Sequence, residues 1–235
     1  MSRYVLVHGA WHGAWCWHKV VAELERRGHS VEAVDLPGHG LDRTPLEQVS
    51  LDAYSDRVVA TLESADEPAV LVGHSMGGLV ITEAAERVPQ LVSQLVYLCA
   101  FLVPAGVHPQ AVNGMEGSEV PTVLIPSEDP QSTTVDPAGL ERVFYGDCSA
   151  EDIALARALL VPQKMSLFGS GLSHTEGSWG TVARHYVVCT QDRAITEAAQ
   201  RAMIAGAPCQ KVTTLDTSHS PFFSAPGELA DALEA

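Results

Sequence analysis

The sequence predicts an α/β fold: a mostly parallel, doubly wound sheet with an inserted, mainly helical cap. Three observations lead there. Short apolar segments ending in turns alternate with segments of helical periodicity up to Phe101. The strand-like segments are apolar on both faces, as parallel strands covered by helices require. The alternation then stops after Phe101 and resumes only at His185.

Tyr4 to Val7 is an apolar run cut off by His8-Gly9 and reads as a buried strand. Trp15 to Arg26 carries Trp17, Val20, Val21 and Leu24 at helical spacing and stops at Gly28. Val31 to Val34 is a second strand, ending in Asp35-Leu-Pro-Gly38-His39-Gly40, read as a structural turn. A helix over Ser50 to Leu62 starts at Ser50 as N-cap. Ala69 to Val72 (strand), Met76 to Arg87 (helix) and Leu95 to Cys99 (strand) follow. Residues 103–181 hold Pro and Gly clusters, a loop over Pro126 to Pro137 and one clear helix over Ala150 to Leu160. They are expected to form a cap between the two parts of the core, residues 1–102 and 182–235. In the second part, His185 to Cys189 and Val212 to Leu215 read as strands, and Ile195 to Ile204 and Gly227 to Leu233 as helices.

Composition narrows the function. Apolar residues make up 46 % of the 235, enough for a substantial core. The net charge of −15 disfavours a phosphate-binding surface, so nucleic acid is not an expected partner. No basic run would dock on an anionic membrane, and no apolar stretch approaches the length of a span. The short Tyr4–Val7 run is no signal-peptide core. The five cysteines are far apart and form no CxxC pair, which points to a reducing compartment, by default the cytoplasm. Oligomeric state stays open, with a homodimer as one option.

The most informative segment is Ala69-Val-Leu-Val-Gly73-His-Ser75-Met-Gly77-Gly-Leu79. It sets a G-x-S-x-G motif between a strand and a helix. That context lifts a serine hydroxyl above the sheet on a sharp turn and aims a helix N-terminus at it. A serine needs a base, and in this arrangement an acid and then a histidine follow along the chain. Beyond Ser75 and outside the insertion lie only His185 and His219. His185 opens a strand, whereas His219 follows one, at the rim of the sheet. Asp192, after Val187-Val-Cys-Thr-Gln, is the preferred acid. Asp216, three residues before the histidine, is the rival. The amides of Met76 and of Ala10, in the loop after the first strand, are the expected oxyanion hole. His8 and His12 are four apart, but His8 ends a strand, so they are not a helical metal pair and no metal site is read there.

The chain resembles the plant methylesterase and hydroxynitrile lyase group of α/β-hydrolases, which also includes bacterial carboxylesterases. The resemblance lies in His8-Gly-Ala-Trp-His-Gly-Ala-Trp-Cys-Trp17, Gly73-His-Ser-Met-Gly-Gly78, Val188-Cys-Thr-Gln-Asp192 and Phe144-Tyr-Gly-Asp-Cys-Ser-Ala-Glu-Asp-Ile-Ala-Leu-Ala156. It implies a lid-covered apolar pocket, no cofactor and small esters as substrates. Residue by residue it implies the triad Ser75, Asp192 and His219, with the Ala10 and Met76 amides in the hole. The lyases resemble one another in a threonine where this chain has Gly9 and a lysine where it has Ser220, and both departures favour ester hydrolysis. Trp11, Leu124, Met165, Leu167, Phe168 and Phe222 are the expected pocket residues. The function expected is a serine carboxylesterase for small apolar or aromatic esters. The alternatives are a cofactor-free lyase or oxygenase, or a ligand-binding receptor with a vestigial triad.

Overall fold

The computed structural model describes residues 1–112, 115–129 and 131–235. The first half runs β1 (Arg3–Val7), α1 (His18–Arg26), β2 (Ser30–Val34), α2 (Leu51–Glu63), β3 (Ala69–His74), α3 (Gly77–Arg87) and β4 (Val92–Leu98). The inserted segment carries β5 (Leu124–Pro126), β6 (Ser132–Val135), α4 (Leu140–Phe144), α5 (Ala150–Leu159) and β7 (Gln163–Lys164). Then follow β8 (Arg184–Cys189), α6 (Glu197–Gly206), β9 (Lys211–Leu215), α7 (Pro221–Ser224) and α8 (Pro226–Glu234).

Local chemistry sets several of these boundaries. Ser50 Oγ accepts the Ala53 N–H at 3.0 Å and starts α2, as its side chain predicts. Ser149 and Thr196 cap α5 and α6 in the same way. The expected helix over Trp15 to Arg26 begins instead as a 3-10 turn, Ala14–Trp17, and becomes α-helical only at His18.

Six parallel strands form the main sheet in the order β2-β1-β3-β4-β8-β9. β1 and β8 are buried along their whole length, and the helices on both faces account for that. The two edge strands alternate between more and less exposed residues until their last, buried one. The chain leaves β1 toward β2 on one side and leaves β3 toward β4 on the other. A crevice therefore opens beyond the carboxyl ends of β1 and β3, the place where open α/β sheets bind ligands. Val7 pairs with Gly73 there, so the loop from His8 and the turn at Ser75 are neighbours. At the far end Cys189 pairs with Leu215, which brings the loops holding Asp192 and His219 side by side on the same rim.

The inserted segment departs from expectation in one respect. Besides α4, α5 and several 3-10 turns it holds a three-stranded antiparallel sheet, β5-β6-β7. β6 falls where a loop was expected, over Pro126 to Pro137. Strands of 3, 4 and 2 residues are too short for alternation to show in the sequence. The segment is tied to the core by polar contacts. The Lys19 ammonium meets the Asp152 carboxylate at 2.7 Å, and Ser173 donates both its N–H and its hydroxyl to Glu83. Among the described residues no helix is long and apolar enough to cross a membrane.

Candidate active site

Ser75 sits between β3 and α3 with φ at 55°, a left-handed conformation that disfavours a side chain. Such a residue costs about 1–3 kcal/mol and persists only where its surroundings fix it. Here the Ser75 N–H donates to Leu98 O at 3.2 Å, and the Ser75 carbonyl accepts from Phe101 N at 3.0 Å and Gly78 N at 3.1 Å. The flanking glycines are required by close approach. A Cβ on Gly73 would lie 2.7 Å from Gly77 O, and one on Gly77 would lie 2.9 Å from His8 O.

His219 Nδ1 and Asp192 Oδ2 are 2.7 Å apart, and both side chains are all but inaccessible to water. Asp192 Oδ1 accepts the Ala194 and Ile195 amides at 2.7 and 2.9 Å, which fixes the carboxylate. A carboxylate facing Nδ1 keeps the proton there and leaves the Nε2 lone pair for work elsewhere. Asp216 faces other partners: it is exposed and accepts from Thr190 Oγ1 and Gln191 Nε2. His185 is a strand residue whose Nε2 meets Thr213 Oγ1 at 2.9 Å. Sequence reasoning missed His74, the residue before the serine. Its ring lies 4.5 Å from the His219 ring, and its Nε2 donates to His219 O at 2.9 Å. Only the pairing of two distant loops reveals that contact.

The Ala10 and Met76 amides donate to no acceptor among the described residues. Gly9 brings this loop so near the elbow that a Cβ would fall 2.8 Å from Ser75 Cβ. Trp11 follows with φ at 64°.

A cavity of about 380 Å³ opens at Ser75, walled by Ala10, Trp11, Leu79, Phe101, Val120, Leu124, Phe144, Met165, Phe168 and Ile195 among others. Ser75 and Gln110 are its only hydrophilic side chains among the described residues, and no charged one lines it. Trp11, Leu124, Met165 and Phe168 thus reach the cavity. Leu167 and Phe222, expected beside them, do not. Leu167 is 1 % exposed within the apolar core. Phe222 lies on α7, which turns its ring away from the cavity to pack at 5.0 Å from His74 and 5.4 Å from Trp17.

Ligand atoms of His74, Cys99 and His219 lie within 4.8 Å of one another, the spacing of a metal site. Their chemistry points elsewhere. His219 Nδ1 faces Asp192, while His74 Nε2 and Cys99 Sγ both donate to the His219 carbonyl. These groups hold a loop in place. Burial pushes His8 and His74 well below the ordinary histidine range and His12 down to about 4, so these rings are neutral near pH 7.

A family model described as the alpha/beta hydrolase family matches residues 4–232. The chain belongs to the alpha/beta hydrolase family. This hydrolase is 37 % identical over 248 residues to Methylesterase 1 of Arabidopsis thaliana, covering 98 % of this chain and 94 % of that protein. It is 38 % identical over 218 residues to Salicylic acid-binding protein 2 of Nicotiana tabacum, covering 85 % and 83 %. Among solved structures, a pyrethroid hydrolase from Sphingobium faniae superposes with a TM-score of 0.86 at 30 % identity, covering 99 % of this hydrolase and 96 % of that chain.

Proposed function

We propose that this hydrolase is a serine carboxylesterase for small apolar or aromatic esters, acting through an acyl-enzyme on Ser75. One observation carries the reading: the buried 2.7 Å contact of His219 with Asp192 stands on the same rim as a strained serine that opens into an apolar cavity. In the first step the Ser75 hydroxyl adds to the ester carbonyl carbon while His219 Nε2 takes its proton. The Ala10 and Met76 amides hold the charge that develops on the carbonyl oxygen. The ester C–O bond then breaks, and His219 returns the proton to the departing alkoxide. Water, deprotonated by the same histidine, adds to the acyl group and releases the acid and Ser75. Asp192 keeps the imidazole in one tautomer and stabilises the imidazolium. The inserted segment serves as a lid that excludes water and selects substrates by shape. Relatives named methylesterase and pyrethroid hydrolase support the ester class. Five free thiols, three of them buried, are consistent with a reducing compartment such as the cytoplasm.

Lyase chemistry fits poorly. Expelling cyanide into a dry pocket calls for a nearby positive charge, and Ser220, after the histidine, is neutral and fully buried. A side chain at position 9 has no room beside Ser75. A ligand-binding reading draws on the relative named Salicylic acid-binding protein 2, and turnover separates it from catalysis. The test is a panel of methyl, aryl and lactone esters run beside mandelonitrile, with fluorophosphonate labelling of the intact protein. Esters should turn over, one label should attach, and Ser75→Ala should abolish both. Cyanide release exceeding ester turnover, or full activity in Ser75→Ala, would refute the assignment.

A further inference from the structure

Every polar group of Trp11 is held by the inserted segment. Its N–H faces Gln163 Oε1 at 3.4 Å, its carbonyl accepts from Val161 N at 3.0 Å, and its indole Nε1 donates to Thr133 O at 3.0 Å. Thr133 and Gln163 are register partners on β6 and β7, so one rung of the small sheet grips both the backbone and the ring. The preceding carbonyl, Ala10 O, meets His12 Nδ1 at 2.7 Å, and His12 Nε2 meets the Tyr145 hydroxyl at 2.5 Å. The peptide joining Ala10 to Trp11 is therefore held at both its carbonyl and its N–H.

Gln163 is fully buried, and its own partners close a ring. Its Oε1 faces His39 Nε2 at 3.1 Å, its Nε2 faces the Tyr54 hydroxyl at 3.4 Å, and that hydroxyl faces His39 Nδ1 at 3.3 Å. The chemistry of the partners fixes which end of the Gln163 amide faces Trp11. The Trp11 N–H can only donate, so the atom facing it is the amide oxygen. His39 Nε2, facing the same oxygen, must then carry a proton. His39 Nδ1 faces both the Tyr54 hydroxyl at 3.3 Å and the Pro37 carbonyl at 3.2 Å, and the Gln163 amide nitrogen also donates to Lys164 O at 3.1 Å. Burial holds His39 below its ordinary range, which agrees with a neutral ring. His39 belongs to the Gly38-His39-Gly40 turn, which the sequence offered only as structural.

We propose that Gln163 is a positioning residue for catalysis: anchored by His39 and Tyr54, it fixes the Ala10–Trp11 peptide and thereby aims the Ala10 amide into the oxyanion hole. The proposal rests on the serine-hydrolase reading above. A loop residue at φ 64° does not hold its shape unaided, and a buried amide hydrogen-bonded on both its ends is a stiff anchor.

The test compares wild type, Gln163→Leu and Tyr54→Phe by two measurements. The first is the rate at which a fluorophosphonate probe labels Ser75, since phosphonylation needs the hole but no particular ester. The second is hydrogen exchange at the Trp11 amide. In Gln163→Leu the labelling rate and kcat should fall about tenfold with KM nearly unchanged, because the hole donor is misaimed and not removed. Trp11 exchange should accelerate about tenfold relative to the amides of the main sheet. Tyr54→Phe should move both in the same direction by about threefold. A folded Gln163→Leu that labels at the wild-type rate, or keeps Trp11 protected, overturns the proposal. Should Gln163→Leu not fold, the same two outcomes in Tyr54→Phe overturn it. Wild type that labels at Ser75 yet hydrolyses no ester would sink the esterase reading and leave this one standing. Wild type that does not label would sink both.

Discussion

At the residue scale the choice between two aspartates is the clearest consequence of the geometry. Asp192 faces His219 Nδ1 in a buried contact, whereas Asp216 is exposed and turned to Thr190 and Gln191. Asp192→Asn presents an amide where the imidazole needs an acceptor, so kcat should fall by about 10³- to 10⁴-fold with the fold intact by circular dichroism. Asp216→Asn should lie within about threefold of wild type, as expected of an exposed side chain outside the site. The reverse ranking would assign the acid wrongly. Gly9 supplies a second test. A methyl there meets Ser75 Cβ and His74 Nδ1 at 2.8 and 3.0 Å, so Gly9→Ala must push the elbow or the loop aside. A shift of that kind should lower kcat by roughly 10- to 100-fold. An unchanged kcat would show that the loop can give way freely. The left-handed turn at Ser75 and the contact of Asp192 with His219 were legible in the sequence because a local motif and a fixed chain order carry them. Phe222, expected in the pocket, packs against His74 and Trp17 instead, and apolar character alone does not say which way a short helix turns a ring.

At the scale of elements, α5 ties the inserted segment to α1. Lys19 Nζ bonds both the Asp152 carboxylate and Phe223 O, and Ser149 Oγ donates to Asp152 at 2.8 Å. Burial pushes the Asp152 carboxyl up, but Lys19 and Ser149 outweigh it and hold it below the usual carboxylate range. Asp152→Asn should therefore lower the unfolding free energy by about 1–2 kcal/mol near pH 7, read from urea midpoints. The sign of its pH dependence follows. A depressed carboxyl stabilises above its ordinary value and loses that stability as pH falls toward the native one. The gap between wild type and Asp152→Asn should thus close below about pH 4. A gap that persists there would mean the charge is not what holds the segment. Leu124 belongs to the same scale, since β5 brings it to the cavity wall. Leu124→Trp should raise KM for aryl esters by about tenfold or more while sparing the smallest methyl esters, because it removes volume and leaves the chemistry untouched.

At the scale of the whole molecule the buried histidines should make the protein acid-labile. His8, His12, His39 and His74 are all held below the ordinary value of 6.5 by burial, so the native state resists protonation while the unfolded chain accepts it freely. The unfolded state then binds more protons, and stability falls as pH drops below 6.5. Each histidine contributes a slope of about 1.4 kcal/mol per pH unit once the unfolded form is protonated. The urea midpoint should be flat from about pH 7.5 to 8.5 and fall steeply from 6.5 toward 5, with the slope of more than two protons. A slope below one proton would show that these rings are not neutral and buried together.

The sequence by itself determined the α/β architecture, the sharp serine turn between strand and helix, and the partnering of His219 with Asp192 instead of Asp216, because each is written in local pattern or in order along the chain. Tertiary structure alone decided which cap residues face the cavity, the small antiparallel sheet above it, and the partnerships of His74, His39 and Gln163. Those depend on contacts between segments far apart in sequence, such as the 124 positions that separate Gln163 from His39. A buried polar group has no periodicity to announce its partner. Its hydrogen bond is fixed only when the packed interior leaves one donor facing one acceptor.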